Sequence, residues 1–268
     1  MLVTNDDGIG SEGLYWLAAA AAEAGFDVVV AAPDGEASGS GTAVKAVWEG
    51  GRVAIERREL PAPATGIPAW ALKGTPAFIA AAAASGAFGF RPRYVLSGIN
   101  RGENTGQALL GSGTVGAALV ATGHGVTAAA FSLDVEAAAP TREWATAALV
   151  ARQVLSELAG LPAGTALNVN VPNVPRDRLR GIRRATLAAF SVVAGVPAEL
   201  TGGWLHLAPA VSDLADPRGD VAVLAAGYAS VTPLQALCEP AAVALPWPSP
   251  DGVSPADGAS RAGRPGAS

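Results

Sequence analysis

The chain has 268 residues, of which 50% are hydrophobic and 15% charged, and a net charge of −5. That composition supports a sizeable core and excludes general disorder. The negative balance argues against a broad nucleic-acid surface, which needs clustered Lys and Arg. One cysteine, Cys238, allows no internal disulfide framework or cysteine zinc site, and it reads as a small buried apolar residue. Its apolar runs are Ala-rich and interrupted, so no membrane span is expected, and no signal peptide is expected either. A cytoplasmic location is the matching expectation.

Leu2 to Thr4 reads as a short buried strand and Glu12 to Ala24 as a helix ended by Gly25. Phe26 to Ala32 is an apolar run with three consecutive valines, as in a strand covered on both faces. Pro33-Asp34-Gly35 is a turn, and residues 44–58 alternate weakly, as a hairpin region would. Pro76 to Ala87 reads as an Ala-rich helix and Tyr94 to Ser97 as a strand entering a Gly-rich loop. Val115 to Ala121 reads as a helix, Val126 to Leu133 as a strand, and Arg142 to Leu158 as an amphipathic helix. Strand–helix alternation of this kind predicts an α/β fold with a mostly parallel sheet. After Asn168–Pro172 helical periodicity fades, and short strands are expected at 181–186, 204–207 and 227–231. The expected organisation is a catalytic core over 1–175, a β-rich extension over 176–245, and a disordered tail over 246–268 rich in Pro, Gly, Ser and Ala.

In an open α/β sheet, ligands gather beyond the carboxyl ends of the strands. The first strand delivers Asn5, Asp6, Asp7 and Gly8 there. Adjacent carboxylates repel, and each raises the other's proton affinity. A hard cation between them relieves that cost, and oxygen ligands suit Mg²⁺, Ca²⁺ or Mn²⁺. The plain alternative is a helix cap. Ser38 and Asn100, at later strand ends, can add neutral oxygen ligands. Gly113 and Thr114, opening a helix, can offer N–H groups and a hydroxyl to a phosphate. Asn5, Gly39, Asn104 and Ser112 join them as candidate phosphate- or substrate-binding residues. Each piece has a commonplace reading as loop, cap or turn; their joint fall at successive strand ends favours a site. One metal there could polarise a phosphoryl oxygen and activate water for in-line attack.

His124 and His206 are the only histidines. His124 reads as a helix C-terminal residue and His206 as a strand residue, so acid–base work falls to Asp6 or Asp7. Arg101 could neutralise phosphate charge, and Asp220 reads as a cap or brace. An aspartyl-phosphate phosphatase needs Asp-x-Asp, which adjacent Asp6-Asp7 does not supply. No G-x-G-x-x-G opens the first helix, which disfavours a dinucleotide oxidoreductase.

The segments TNDDG (4–8), APD…SG (32–39), KGTP (73–76), SGINRGENTG (97–106), SGTVGAA (112–118), NVNVP (168–172) and GYASVTPL (227–234) stand in one order along the chain. In these segments it resembles the survival protein E (SurE) family of metal-dependent 5′/3′-nucleotidases. The resemblance implies a three-layer Rossmann-like core with a β-rich C-terminal arm used in dimer or tetramer contacts. It also implies that Asp6, Asp7, Ser38 and Asn100 ligate one divalent metal, Mg²⁺ or Mn²⁺. The implied substrate is a small phosphate monoester, a nucleoside monophosphate in the first instance. A specialised metabolite phosphate, or a non-catalytic nucleotide- or sugar-phosphate-binding module, are the alternatives. Departures fall at Ala77-Phe78, where the family usually has a small residue and Asp, at residues 40–44, and over 187–220.

Overall fold

The computed structural model describes residues 1–135, 141–189, 196–201, 204–208 and 216–236, with backbone only for 196–201 and 204–208. Cys238 and the expected tail at 246–268 lie outside the described residues. The elements run β1 (Leu2–Thr4), α1 (Glu12–Glu23), β2 (Val29–Pro33), β3 (Ile55–Arg58), β4 (Ala69–Leu72), α2 (Pro76–Ala84), β5 (Tyr94–Arg101), a 3₁₀ turn (Gly106–Gly111), α3 (Gly113–Gly123), β6 (Thr127–Asp134), α4 (Trp144–Leu158), β7 (Ala166–Pro172), β8 (Ile182–Arg184), β9 (Val196–Thr201), β10 (Trp204–Ala208), α5 (Asp220–Ala225) and β11 (Ala229–Leu234).

Nine of the described strands form one sheet in the order β3-β4-β2-β1-β5-β6-β7-β11-β8. From β4 to β7 the neighbours are parallel. Antiparallel β3 closes one side, and β11 turns against β7 on the other. Within the expected extension, β8 and β11 join this sheet, while β9 and β10 pair with each other as an antiparallel hairpin. The helix α5 preceding β11 and the strands β4, β7 and β9 were not expected. The sequence of β4, Ala-Trp-Ala-Leu, carries no β-branched residue, so its signal is weak. The expected 44–58 hairpin is not a free-standing unit, because β3 pairs with β4 instead.

Both faces of the sheet are covered. On one, Leu14 and Leu17 of α1 and Val150 and Val154 of α4 pack on Val3, Val30, Leu96, Phe131 and Val169. On the other, Ile79 of α2 and Val115 and Ala118 of α3 pack on Leu2, Ala31, Val95, Ala128 and Ala130. The sheet positions alternate between the two clusters, as the two-residue period of a strand requires. Alanine dominates the α2–α3 side, so little side-chain bulk holds those helices off the sheet. Phe131 and Leu96 are fully buried, and truncating such a residue to Ala costs about 2–5 kcal/mol.

Strand β5 continues past its expected end at Ser97, with a register shift between Ser97 and Asn100. Gly98 makes this passage possible. It sits at φ +125, and a Cβ there would lie 2.2 Å from the Phe131 carbonyl oxygen. The extension carries Asn100 and Arg101 to the carboxyl edge of the sheet, beside the end of β1.

Candidate metal and phosphate site

Residues 5–8 leave β1 in a tight turn. Asn5 is buried and donates its Nδ2 to the Gly8 carbonyl at 2.9 Å. Gly8 stands at φ +90, with the backbone of Gly35 2.9 Å from where its Cβ would be. The Ala37 N–H donates to the Asp6 carbonyl at 2.7 Å. The loop that follows β2 is thereby fastened directly to the acidic pair.

Asp6 is 4% exposed. It accepts the Thr114 hydroxyl and the backbone N–H groups of Gly113 and Thr114 at the start of α3. Desolvation nevertheless dominates these hydrogen bonds and pushes its pKa above the ordinary carboxylate value. Asp7 is more accessible and accepts the Arg101 N–H at Oδ2, 3.1 Å away. Burial first, with repulsion from Asp6 and Glu36 adding to it, raises its pKa to about 6, against the lowering effects of the Arg101 N–H and side-chain charge. Among the described residues no ion pair reaches either carboxylate.

The structure brings the expected ligands to one rim, with two differences. Asn100 is half-buried next to the Arg101 N–H that binds Asp7, and its Nδ2 donates to the Gly102 carbonyl at 2.9 Å. Ser38 lies on the loop tied to Asp6, but it is exposed and its hydroxyl donates to Glu36 at 2.8 Å, not to the acidic pair. The hydroxyl nearer Asp6 is that of Ser40. Its Oγ is buried without a partner among the described residues, and a Cβ on Gly113 would lie 2.6 Å from it and 2.9 Å from Asp6 Oδ2. Gly39, at φ +75, lets the loop turn between the two serines.

The expected phosphate-binding residues are also used differently. Ser112 caps α3 by accepting the Val115 N–H at 3.1 Å. Gly113 and Thr114 turn their donors to Asp6, so the positive end of α3 serves a carboxylate of the protein itself. Asn104 is 9% exposed and engaged inward. Its N–H donates to Asn170, its Nδ2 to Ser132, and its carbonyl accepts from both Asn168 and Asn170.

Asp7 opens into a cavity of about 290 Å³, lined also by Gly10, Ser11, Glu12, Glu36, Arg101, Arg142 and Trp144. Trp144 Nε1 donates to Glu12 at 3.0 Å, which fixes the indole. Sequence reasoning missed Glu36, Arg142 and Trp144, since they lie in unpatterned loops or at a helix start. His124 sits at the far, C-terminal end of α3.

Two carboxylates with raised proton affinity, a buried unpartnered hydroxyl and an amide form an oxygen donor set short of positive charge, which fits a hard dication. Among the described residues no cluster of three or more His, Cys, Asp or Glu suits a metal. A metal site here would draw on neutral oxygens beside Asp6 and Asp7.

The model of the family described as "Survival protein SurE" matches residues 1–193. The chain is 38% identical over 242 residues to a protein of Symbiobacterium thermophilum named 5′-nucleotidase SurE, covering 87% of this chain and 91% of that one. It is 36% identical to the protein of the same name from Pseudomonas entomophila, over 88% of this chain and 91% of that one. The crystal structure of the SurE protein from Aquifex aeolicus superposes with a TM-score of 0.70 at 28% identity, covering 87% of this chain and 92% of that chain.

Proposed function

The chain belongs to the survival protein SurE family, and from that premise we propose that it is a metal-dependent phosphomonoesterase that hydrolyses nucleoside monophosphates to nucleoside and phosphate. The observation that carries this reading is the adjacent Asp6–Asp7 pair at the end of β1, which no ion pair reaches among the described residues, with Asp7 opening on a cavity that Arg101 and Arg142 also line. The names of the relatives, 5′-nucleotidase, support the same chemistry and do not favour a non-catalytic binding module.

Asp6, Asp7 and Asn100, with a serine hydroxyl from the 38–40 loop, would hold one Mg²⁺ or Mn²⁺. When bound, such a cation polarises a phosphoryl oxygen and makes water a better nucleophile. The protein supplies the rest. Thr114 and the α3 N-terminus fix Asp6 in one orientation. Asp7 faces the cavity and is the carboxylate placed to accept a proton from attacking water. Arg101 and Arg142 line the same space and can balance charge on the transferred group. Trp144, buried and held by Glu12, gives the cavity a rigid wall.

No described helix is long and apolar enough to cross a membrane. We place the protein in the cytoplasm as a homodimer or homotetramer, with the β9–β10 hairpin as the element available for subunit contact. The direct test is a phosphate-release screen over nucleoside monophosphates and sugar phosphates with Mg²⁺, Mn²⁺ or EDTA. Metal-dependent release, strongest from nucleoside monophosphates, supports the reading. Release from sugar phosphates alone redirects the substrate, and no release with any metal refutes the activity.

A further inference from the structure

The connection from β5 to α3 has both ends at the acidic pair. At its start the Arg101 N–H binds Asp7, and at its end Gly113 and Thr114 bind Asp6. The middle is held by a third acid. Asp220, the first residue of α5, is fully buried. Its Oδ2 accepts the Gly106 N–H at 2.8 Å, and its Oδ1 accepts the N–H groups of Ala188 and Val221 at 3.0 Å each. Gly106 and Asp220 are separated by 114 positions in the chain.

A buried carboxylate persists only where donors replace the water it has lost. Here the donors come from three separate segments, so the acid joins them. The N-cap of the six-residue helix α5 is Gly219, so capping does not call for the Asp220 carboxylate. The bond to Gly106 is the part that capping leaves unexplained. Two residues before Gly106, Asn104 is locked to β7 by Asn168 and Asn170. The connection is therefore pinned to the far side of the sheet just before it runs on to α3.

We propose that Asp220 is a positioning residue for the Asp6–Asp7 centre: its carboxylate latches Gly106 and thereby sets where the Arg101 and Gly113–Thr114 donors meet the two acids. The inference deepens the phosphomonoesterase reading and rests on it only for its kinetic consequence.

The Asp220→Asn variant separates the bond to Gly106 from those to Ala188 and Val221. One oxygen can still face the two donors of Ala188 and Val221, which turns the amide NH₂ toward the Gly106 N–H, donor against donor. The full chain carrying Asp220→Asn is compared with wild type by hydrogen exchange and by Mn²⁺ titration. Amides of residues 106–111 are expected to exchange at least about tenfold faster, and the Mn²⁺ dissociation constant to rise about tenfold, a magnitude usual for groups that orient ligands. Faster exchange with unchanged Mn²⁺ affinity overturns the positioning role, as does unchanged exchange. Should the variant not fold, wild type alone decides. Coupling is reciprocal, so saturating Mn²⁺ must slow exchange at Gly106, and no slowing overturns the proposal. Wild type that binds Mn²⁺ but releases no phosphate refutes the hydrolase reading and leaves the latch standing.

Discussion

Thr114 donates its hydroxyl to Asp6 Oδ1 across 108 residues of sequence, joining the first helix turn of α3 to the end of β1. The contact spends the N-terminus of α3 on orienting a carboxylate. It follows that the electrostatic service of this helix reaches a bound ligand through Asp6.

Thr114→Val keeps the shape of the side chain and removes the donor. Leaving a buried carboxylate oxygen short of one hydrogen bond costs about 1–3 kcal/mol. Mn²⁺ affinity is expected to fall about tenfold or more, as for other groups that orient a metal ligand. Calorimetric titration with Mn²⁺, alongside thermal unfolding, checks both effects.

Gly113→Ala tests crowding at the same spot. In an ordinary helix Ala is favoured over Gly by about 1 kcal/mol. Here the new Cβ meets Ser40 Oγ at 2.6 Å and Asp6 Oδ2 at 2.9 Å, so one of them must move. Phosphate release is expected to drop about a hundredfold or more, the scale set by misplacing a reacting group by about 1 Å. The kinetics of purified variant and wild type, with thermal unfolding as control, measure this.

The raised pKa values give a pH prediction with a definite sign. Burial pushes the Asp7 carboxyl up to about 6 in the folded chain, from an ordinary 3.8, and Asp6 is shifted the same way. The folded state therefore holds these protons more tightly than the unfolded one. The resulting stability is fully present below the unfolded value and is lost as pH rises through about 6. Metal-free protein should melt at a lower temperature at pH 7.5 than at pH 5, and Asp7→Asn should flatten that dependence. Mn²⁺ competes with the protons, so the stabilisation it confers should grow over the same interval. Thermal scans in EDTA and in Mn²⁺ across pH 5 to 8 show whether the two trends oppose each other.

Much of the core was legible because burial leaves a direct pattern. The valine run ending at Val30 can be little else than a covered strand, whereas the alternating Leu and Val of β7, interrupted by Asn168 and Asn170, were not read as one. The strand β4 was not legible, because Ala and Leu suit either helix or strand. The carboxyl edge was legible in outline, since Asp6, Asp7, Asn100 and the 38–40 loop all gather there. Its finer assignments were not. Sequence shows that Ser38 and Ser40 flank Gly39, but only the path of the loop shows which hydroxyl is buried near Asp6. Likewise Ser112-Gly113-Thr114 reads as a phosphate cradle until Asp6 is seen against it. The bond from Asp220 to Gly106 left no local trace, because the two meet only when α5 packs beside β7 and β11.

The central claim is that Asp6 and Asp7 share one divalent cation with Asn100 and a serine hydroxyl of the 38–40 loop. Anomalous diffraction from crystals grown with Mn²⁺ tests it most directly. A single strong peak is expected about 2.0–2.4 Å from carboxylate oxygens of both Asp6 and Asp7, with the Asn100 amide oxygen in the same shell. A map with no peak between those two side chains, or with Mn²⁺ bound only elsewhere, contradicts it.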